Sequence, residues 1–202
     1  FRSAANGRHG TNLMIHGACS SSGCYSMTDE QMQEIFALAR DAYKGGQQTI
    51  QLQALPFRMT AENMARHKNS PNIEFWNMLK AGYDQFEITK RPPEVNICEK
   101  KYVFNQQTDG KFNPAGACPA MSTPPAMQMA LASYNKKYDE DYAKALKKYD
   151  GMVWYEPSEA ERKAIVAKDR VGKELAYAPT GRSIDAGKLM KAEDLAELEA
   201  KR

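Results

Sequence analysis

The clearest stretch of patterned sequence runs from Thr28 to Gly46. Met32, Ile35, Phe36, Ala39, Ala42 and Tyr43 recur at helical spacing. Thr28 and Gln31 stand three apart at its start, the signature of a capping box, and Gly45-Gly46 follows its end. Gln48–Leu55 then alternates with period two, with Ile50, Leu52 and Ala54 on one face, and predicts a strand. Thr60 predicts the cap of a short helix to about His67, which places that histidine on the surface near a helix end. Ser70-Pro71 predicts the cap and first position of a longer helix with Ile73, Trp76, Leu79, Tyr83 and Phe86 along one stripe, ended by Arg91-Pro92-Pro93. Val95–Cys98 and Tyr102–Phe104 read as a hairpin about Glu99-Lys100-Lys101.

Beyond residue 104 the pattern changes. Residues 105–126 are rich in Gly, Pro, Ala, Asn and Gln and read as a linker. Residues 127–202 read as a helical, charged extension. Tyr134, Tyr138, Tyr142 and Leu146 form a packing row, a helix is expected over about 159–177, and a last short one over Ala192–Lys201. Its apolar content is thin for an independent core, so it is expected to pack on the preceding domain or to stay mobile. The first half mixes strand and helix patterns, which makes the fold class α+β.

Charge changes this picture little. The 202 residues carry 28 Lys and Arg against 25 Asp and Glu, a formal net charge of +3. No concentrated basic face is visible, which argues against nucleic acid as the partner. No apolar run reaches eighteen residues, so no membrane-spanning segment is expected. The chain starts at Phe1 without a signal-peptide pattern and reads as a fragment or a processed form.

The candidate chemistry is concentrated in Ile15–Met27, which holds His16, Cys19 and Cys24 among glycines and serines. A thiolate is the attacking form of cysteine, and histidine near neutrality is the usual acceptor of its proton. The pair therefore points to a thiol acyl-transfer site with Cys24 as nucleophile and His16 as base. Small residues between them allow a sharp turn and let backbone N–H groups face an oxyanion. The rivals are a zinc site using His16, Cys19 and Cys24, and a Cys19–Cys24 disulfide that is inert or redox-active. Neither a Cys-x2-Cys nor a His-x3-His spacing supports the metal.

The run His16-Gly17-x-Cys19-x-Ser21-x-Gly23-Cys24-Tyr25-Ser26-Met27-Thr28-Asp29 resembles the active-site signature of YkuD-type L,D-transpeptidases, YafK branch. The likeness continues through Pro56-Phe57-Arg58-Met59-Thr60 and through Phe75-Trp76-x-x-Leu79-Lys80-x-Gly82-Tyr83-Asp84-x-Phe86-Glu87, and it ends near Pro92-Pro93-x-Val95. It covers residues 2 to about 104. The resemblance implies the C-terminal part of a β-rich catalytic domain with added helices, the N-terminal part being absent from this chain. The expected division is therefore a partial catalytic domain over 1–104, the linker over 105–126 and the helical extension over 127–202.

The resemblance also implies a function. Cys24 would attack the carbonyl at the L-centre of the diamino acid in peptidoglycan stem peptides and form a thioester. Gly23, Tyr25, Ser22 and Gly17 would supply oxyanion or positioning contacts, Ser21 or Ser22 orienting the imidazole or substrate. Arg58 would hold a substrate carboxylate, with a structural ion pair as the alternative. No metal or organic cofactor is required. The site of action would be the periplasm of a diderm bacterium. The run Ser21-Ser22-Gly23-Cys24-Tyr25-Ser26 departs from the wider superfamily's Ser-His-Gly-Cys with Asn or Arg two residues on, and its spacing to the His-Gly motif is shorter. Hydrolysis, including release of an outer-membrane lipoprotein from peptidoglycan, is therefore the alternative reaction. A non-catalytic wall-binding fragment is the alternative class. In an exported protein a Cys98–Cys118 disulfide would tie the linker to the domain edge.

Overall fold

The computed structural model describes residues 13–18, 24–172 and 187–200. It is an α+β chain that divides into two compact units, Phe1–Leu52 with Tyr155–Lys188 and Gln53–Trp154 with Leu189–Arg202.

In the first unit, β1 (Ile15–His16) pairs in parallel with β2 (Tyr25–Ser26), and α1 (Asp29–Lys44) follows. The start of α1 is the predicted capping box: Gln31 N–H donates to Thr28 Oγ1 at 3.2 Å, and Thr28 N–H donates to Gln31 Oε1 at 3.2 Å. No residue of α1 is buried, and Phe36 is 62% exposed. Later in the same unit, α5 (Glu159–Arg170) opens on a second capping box, Ser158 with Glu161. Glu161 also accepts from the Tyr155 hydroxyl at 2.9 Å. The helix stops at Arg170, short of the expected 177: Val171 turns extended (ψ 124°) and Gly172 is left-handed (φ 73°). Leu175 and the expected break at 178–181 lie outside the described residues.

Residues 48–55 do not form the predicted strand. No strand is assigned there, and Ile50 and Leu52 stay exposed. Alternation alone does not make a strand; a neighbouring edge must accept its backbone hydrogen bonds.

The second unit holds all but one of the buried positions among the described residues, the exception being Pro157. The short α2 (Ala61–Arg66) is capped by Thr60 and buries Ala61, Met64 and Ala65. It packs on α4 (Pro125–Lys148), where Ala65, Ala145 and Tyr149 form one core and Tyr142, Leu146, Met152 and Leu189 pack against it. Helix α3 (Ile73–Thr89) starts two residues later than predicted. Ser70 and Pro71 sit in a turn in which Ser70 Oγ accepts from Asn72 N–H at 3.3 Å, and the helix itself has no side-chain cap. The predicted stripe of α3 is only half-buried; the buried positions are Gly82, Asp84 and Gln85. Gly82 is where the hairpin comes close, since a Cβ there would lie 2.5 Å from the Phe104 ring. That hairpin, β3 (Val95–Cys98) with β4 (Lys101–Phe104), is antiparallel with Ile97 opposite Tyr102. Its two-residue turn places Glu99 and Lys100 at φ 50° and 61°, the pair of left-handed residues that a type I′ turn needs.

The expected linker is a fastened loop. A Cys98–Cys118 disulfide closes it, Gln107 and Ser122 exchange backbone bonds of 2.8 and 2.9 Å, and Glu99 N–H donates to Gly116 O at 2.8 Å. Two further strands, β5 (Met152–Tyr155) and β6 (Lys188–Lys191), pair with each other, and α6 (Ala192–Ala200) follows. Neither strand was legible in the sequence, because each is four residues long and only half-buried. None of the helices among the described residues is long and apolar enough to cross a membrane.

His67 is not the surface residue that the sequence predicts. Its ring stacks on Phe57 at 4.5 Å, meets Trp154 at 4.6 Å and faces the edge of Trp76 at 6.0 Å. Its Nδ1 is buried and lacks a hydrogen-bond partner. Burial, with the Arg66 charge added, pushes its pKa down to about 4, so the ring is neutral at pH 7. The aromatic packing that holds it comes from Phe57, α3 and β5, and no local pattern announces that convergence.

Candidate active site around His16 and Cys24

The parallel ladder sets the geometry of the site. Ile15 is opposite Tyr25 and His16 is opposite Ser26. Tyr25 N–H donates to Met14 O at 3.0 Å, and Met27 N–H donates to His16 O at 3.0 Å. Opposed residues in a parallel pair share a face, and the face repeats every second residue. Cys24 stands immediately before β2, two residues from the Ser26 that His16 faces. His16 and Cys24 are both half-buried.

His16 Nδ1 lies 2.6 Å from Gly17 O. A carbonyl only accepts, so Nδ1 carries the proton and Nε2 keeps the lone pair that a base needs. The group seen orienting the imidazole is thus a backbone carbonyl. Ser21, Ser22 and Gly23, to which orienting and oxyanion roles were assigned, lie outside the described residues, as does Cys19. Tyr25 N–H donates to Met14 O, and its side chain is 50% exposed.

The turn after His16 is held by α1. Ala18 is left-handed (φ 66°), and its N–H donates to Asp29 Oδ1 at 2.8 Å. A Cβ on Gly17 would lie 2.1 Å from that same oxygen, so only glycine fits while the carboxylate stays in place. Cys24 itself lies four residues before the α1 N-cap, which is near the limit at which the helix dipole favours an anion.

Arg58 belongs to the second unit. It is exposed, its carbonyl accepts from Thr60 N–H at 2.8 Å and from Asn63 Nδ2 at 2.9 Å, and its charge reaches Tyr83. The same unit contains a buried pair that the sequence did not single out. Lys80 binds Asp84, with Lys80 Nζ 3.5 Å from the Tyr138 ring centroid. Burial pushes the Asp84 carboxyl up, against the pull of Lys80 and of the Tyr134 hydroxyl. An i, i+4 Lys-Asp pair is ordinary on a helix surface; its burial depends on α4. Among the described residues, no group of three His, Cys, Asp or Glu is placed to hold a metal ion.

No protein-family model matches the chain. Among curated proteins it is 47% identical over 102 residues to "Putative L,D-transpeptidase YafK" of Escherichia coli strain K12, and equally so to that of strain O157:H7. The aligned part covers 50% of this chain and 42% of each relative, so the chain spans less than half the length of the curated relatives it matches. The resemblance of this half of the chain to the YafK branch is thereby shown.

Proposed function

We propose that the chain is part of a peptidoglycan-modifying cysteine acyltransferase, an L,D-transpeptidase working through a Cys24 thioester. The observation that carries this reading is the parallel pairing that brings His16 opposite Ser26, two residues from Cys24, with His16 Nδ1 on Gly17 O. The 47% identity of half the chain to a relative named for that activity supports it. His16 Nε2 takes the Cys24 thiol proton, and the thiolate attacks the donor carbonyl. The resulting oxyanion is met by the N–H groups of Gly23 and Cys24. The C–N bond breaks, the leaving amine takes the proton from His16, and the acyl group remains as a thioester. An acceptor amine then attacks, loses its proton to His16 and regenerates the thiol. Water in the acceptor's place gives release instead, the reaction that would free a lipoprotein from peptidoglycan.

The peptidoglycan substrate places the protein in the periplasm, and the Cys98–Cys118 disulfide agrees with an oxidising compartment. Arg58, exposed on its own unit, is proposed to bind a carboxylate of the substrate. The test is intact-mass spectrometry after exposure to a carbapenem, an acyl donor that a reactive thiol opens to a thioester. One adduct is expected on the native chain and none on the Cys24→Ala variant. An adduct that survives Cys24→Ala, or muropeptide turnover by that variant, would end the reading.

A further inference from the structure

We propose that Asp29 is the positioning residue of the candidate site, acting through the turn that carries His16. The inference rests on the acyl-transfer reading above and assigns to Asp29 a role beyond the helix that it opens. Besides the bonds within the β1–β2 ladder, three more join residues 14–18 to residues 25–29 in order: Tyr25 N–H to Met14 O, Met27 N–H to His16 O, and Ala18 N–H to Asp29 Oδ1. The first two are backbone bonds that other side chains would leave intact. The third depends on one carboxylate. It continues the ladder past the end of β2 and holds Ala18 at φ 66°, a conformation that a non-glycine residue keeps only when its surroundings fix it.

Gly17, whose carbonyl fixes His16 Nδ1, lies between the second and third bonds. Its peptide is thus tied on one side through His16 O and on the other through Ala18 N–H. The carboxylate also sits where a Cβ on residue 17 would be. Asp29 therefore sets the direction of the Gly17 carbonyl, that carbonyl sets the tautomer and plane of the imidazole, and the imidazole keeps Nε2 for the Cys24 thiol. A role confined to the first turn of α1 would require none of this, since any acidic residue there answers the helix dipole.

The experiment follows alkylation of Cys24 by iodoacetamide, read by peptide mass mapping so that other thiols do not count, as a function of pH in the full 202-residue chain. Asp29→Ala should lower the rate at pH 7 roughly tenfold and displace the midpoint of the rate's pH profile. Asp29→Asn, which keeps an acceptor oxygen, should hold the native midpoint. Thr28→Ala, which weakens the cap but not the turn, should lower the melting temperature and leave the midpoint in place. If circular dichroism shows Asp29→Ala unfolded, Gly17→Ala is the substitute, because its methyl displaces the carboxylate without removing the charge. His16→Ala separates the two levels of the argument. If His16→Ala shifts the profile but Asp29→Ala and Gly17→Ala keep the native rate and midpoint, the positioning role is overturned and the acyl-transfer reading stands. If His16→Ala also leaves the profile unchanged, the acyl-transfer reading itself fails.

Discussion

The stretch from Met14 to Lys44 and the region from Phe57 to Tyr149 are held together by different forces. In the first, no residue of the helix is buried, the sheet is two residues long, and the turn that carries His16 is held by a few hydrogen bonds. In the second, Met59, Met64, Ala65 and Cys98 are at most 2% exposed, a disulfide closes the loop, and aromatic rings converge on His67. The contrast teaches where substitution should be felt. Burial carries stability, at about 25 cal/mol per Å² of apolar surface, so stability should reside in the second region. Hydrogen bonds in the first region carry orientation, which chemistry reads more sharply than stability does.

Five substitutions or conditions probe that contrast, taken from the largest expected effect. Met64→Ala empties a site that is 2% exposed and should cost about 3 kcal/mol in urea unfolding. A loss below 1 kcal/mol would mean that the α2–α4 contact is not the core of its unit. Opening the Cys98–Cys118 bond, with a sequence separation of 20, should cost close to that, again about 3 kcal/mol, measured with and without reductant. Gly82→Ala pushes a methyl into the Phe104 ring and should cost about 1–2 kcal/mol, with the hairpin amide signals shifting in NMR.

The fourth is a pH effect. The unfolded chain protonates His67 near its ordinary 6.5, whereas the folded ring resists until about pH 4. Its contribution is fully present above pH 6.5 and is lost as pH falls towards 4, because the unfolded state binds the proton first. The ring is only half-buried, so solvent screening reduces the loss to about 1–2 kcal/mol. His67→Leu should flatten the slope of stability between pH 6.5 and 5. Glu62, whose carboxyl is held below its ordinary range by Lys148 and Tyr149, loses its bonds only at lower pH. The smallest effect belongs to the first region: Phe36→Ala on the exposed face of α1 should change stability by less than about 0.5 kcal/mol. A large loss there would show that this face is covered in solution.

The sequence by itself determined the elements whose causes are local. Thr28 with Gln31 and Ser158 with Glu161 close capping boxes within four residues of chain, and Thr60 caps its helix in the same way. The hairpin about Glu99 and Lys100 is local too. Tertiary structure decided whatever depended on a distant partner. Residues 48–55 had the alternation of a strand but are assigned no strand. His67 read as a surface residue until Phe57, Trp76 and Trp154 closed around it, and the Lys80–Asp84 pair was buried only when α4 arrived. Asp29 looked like a first-turn acid, and only the backbone returning at Ala18 showed what its carboxylate holds. Periodicity and capping act over a few residues and are written in the sequence, whereas burial and strand pairing are properties of two segments meeting, and neither segment carries them alone.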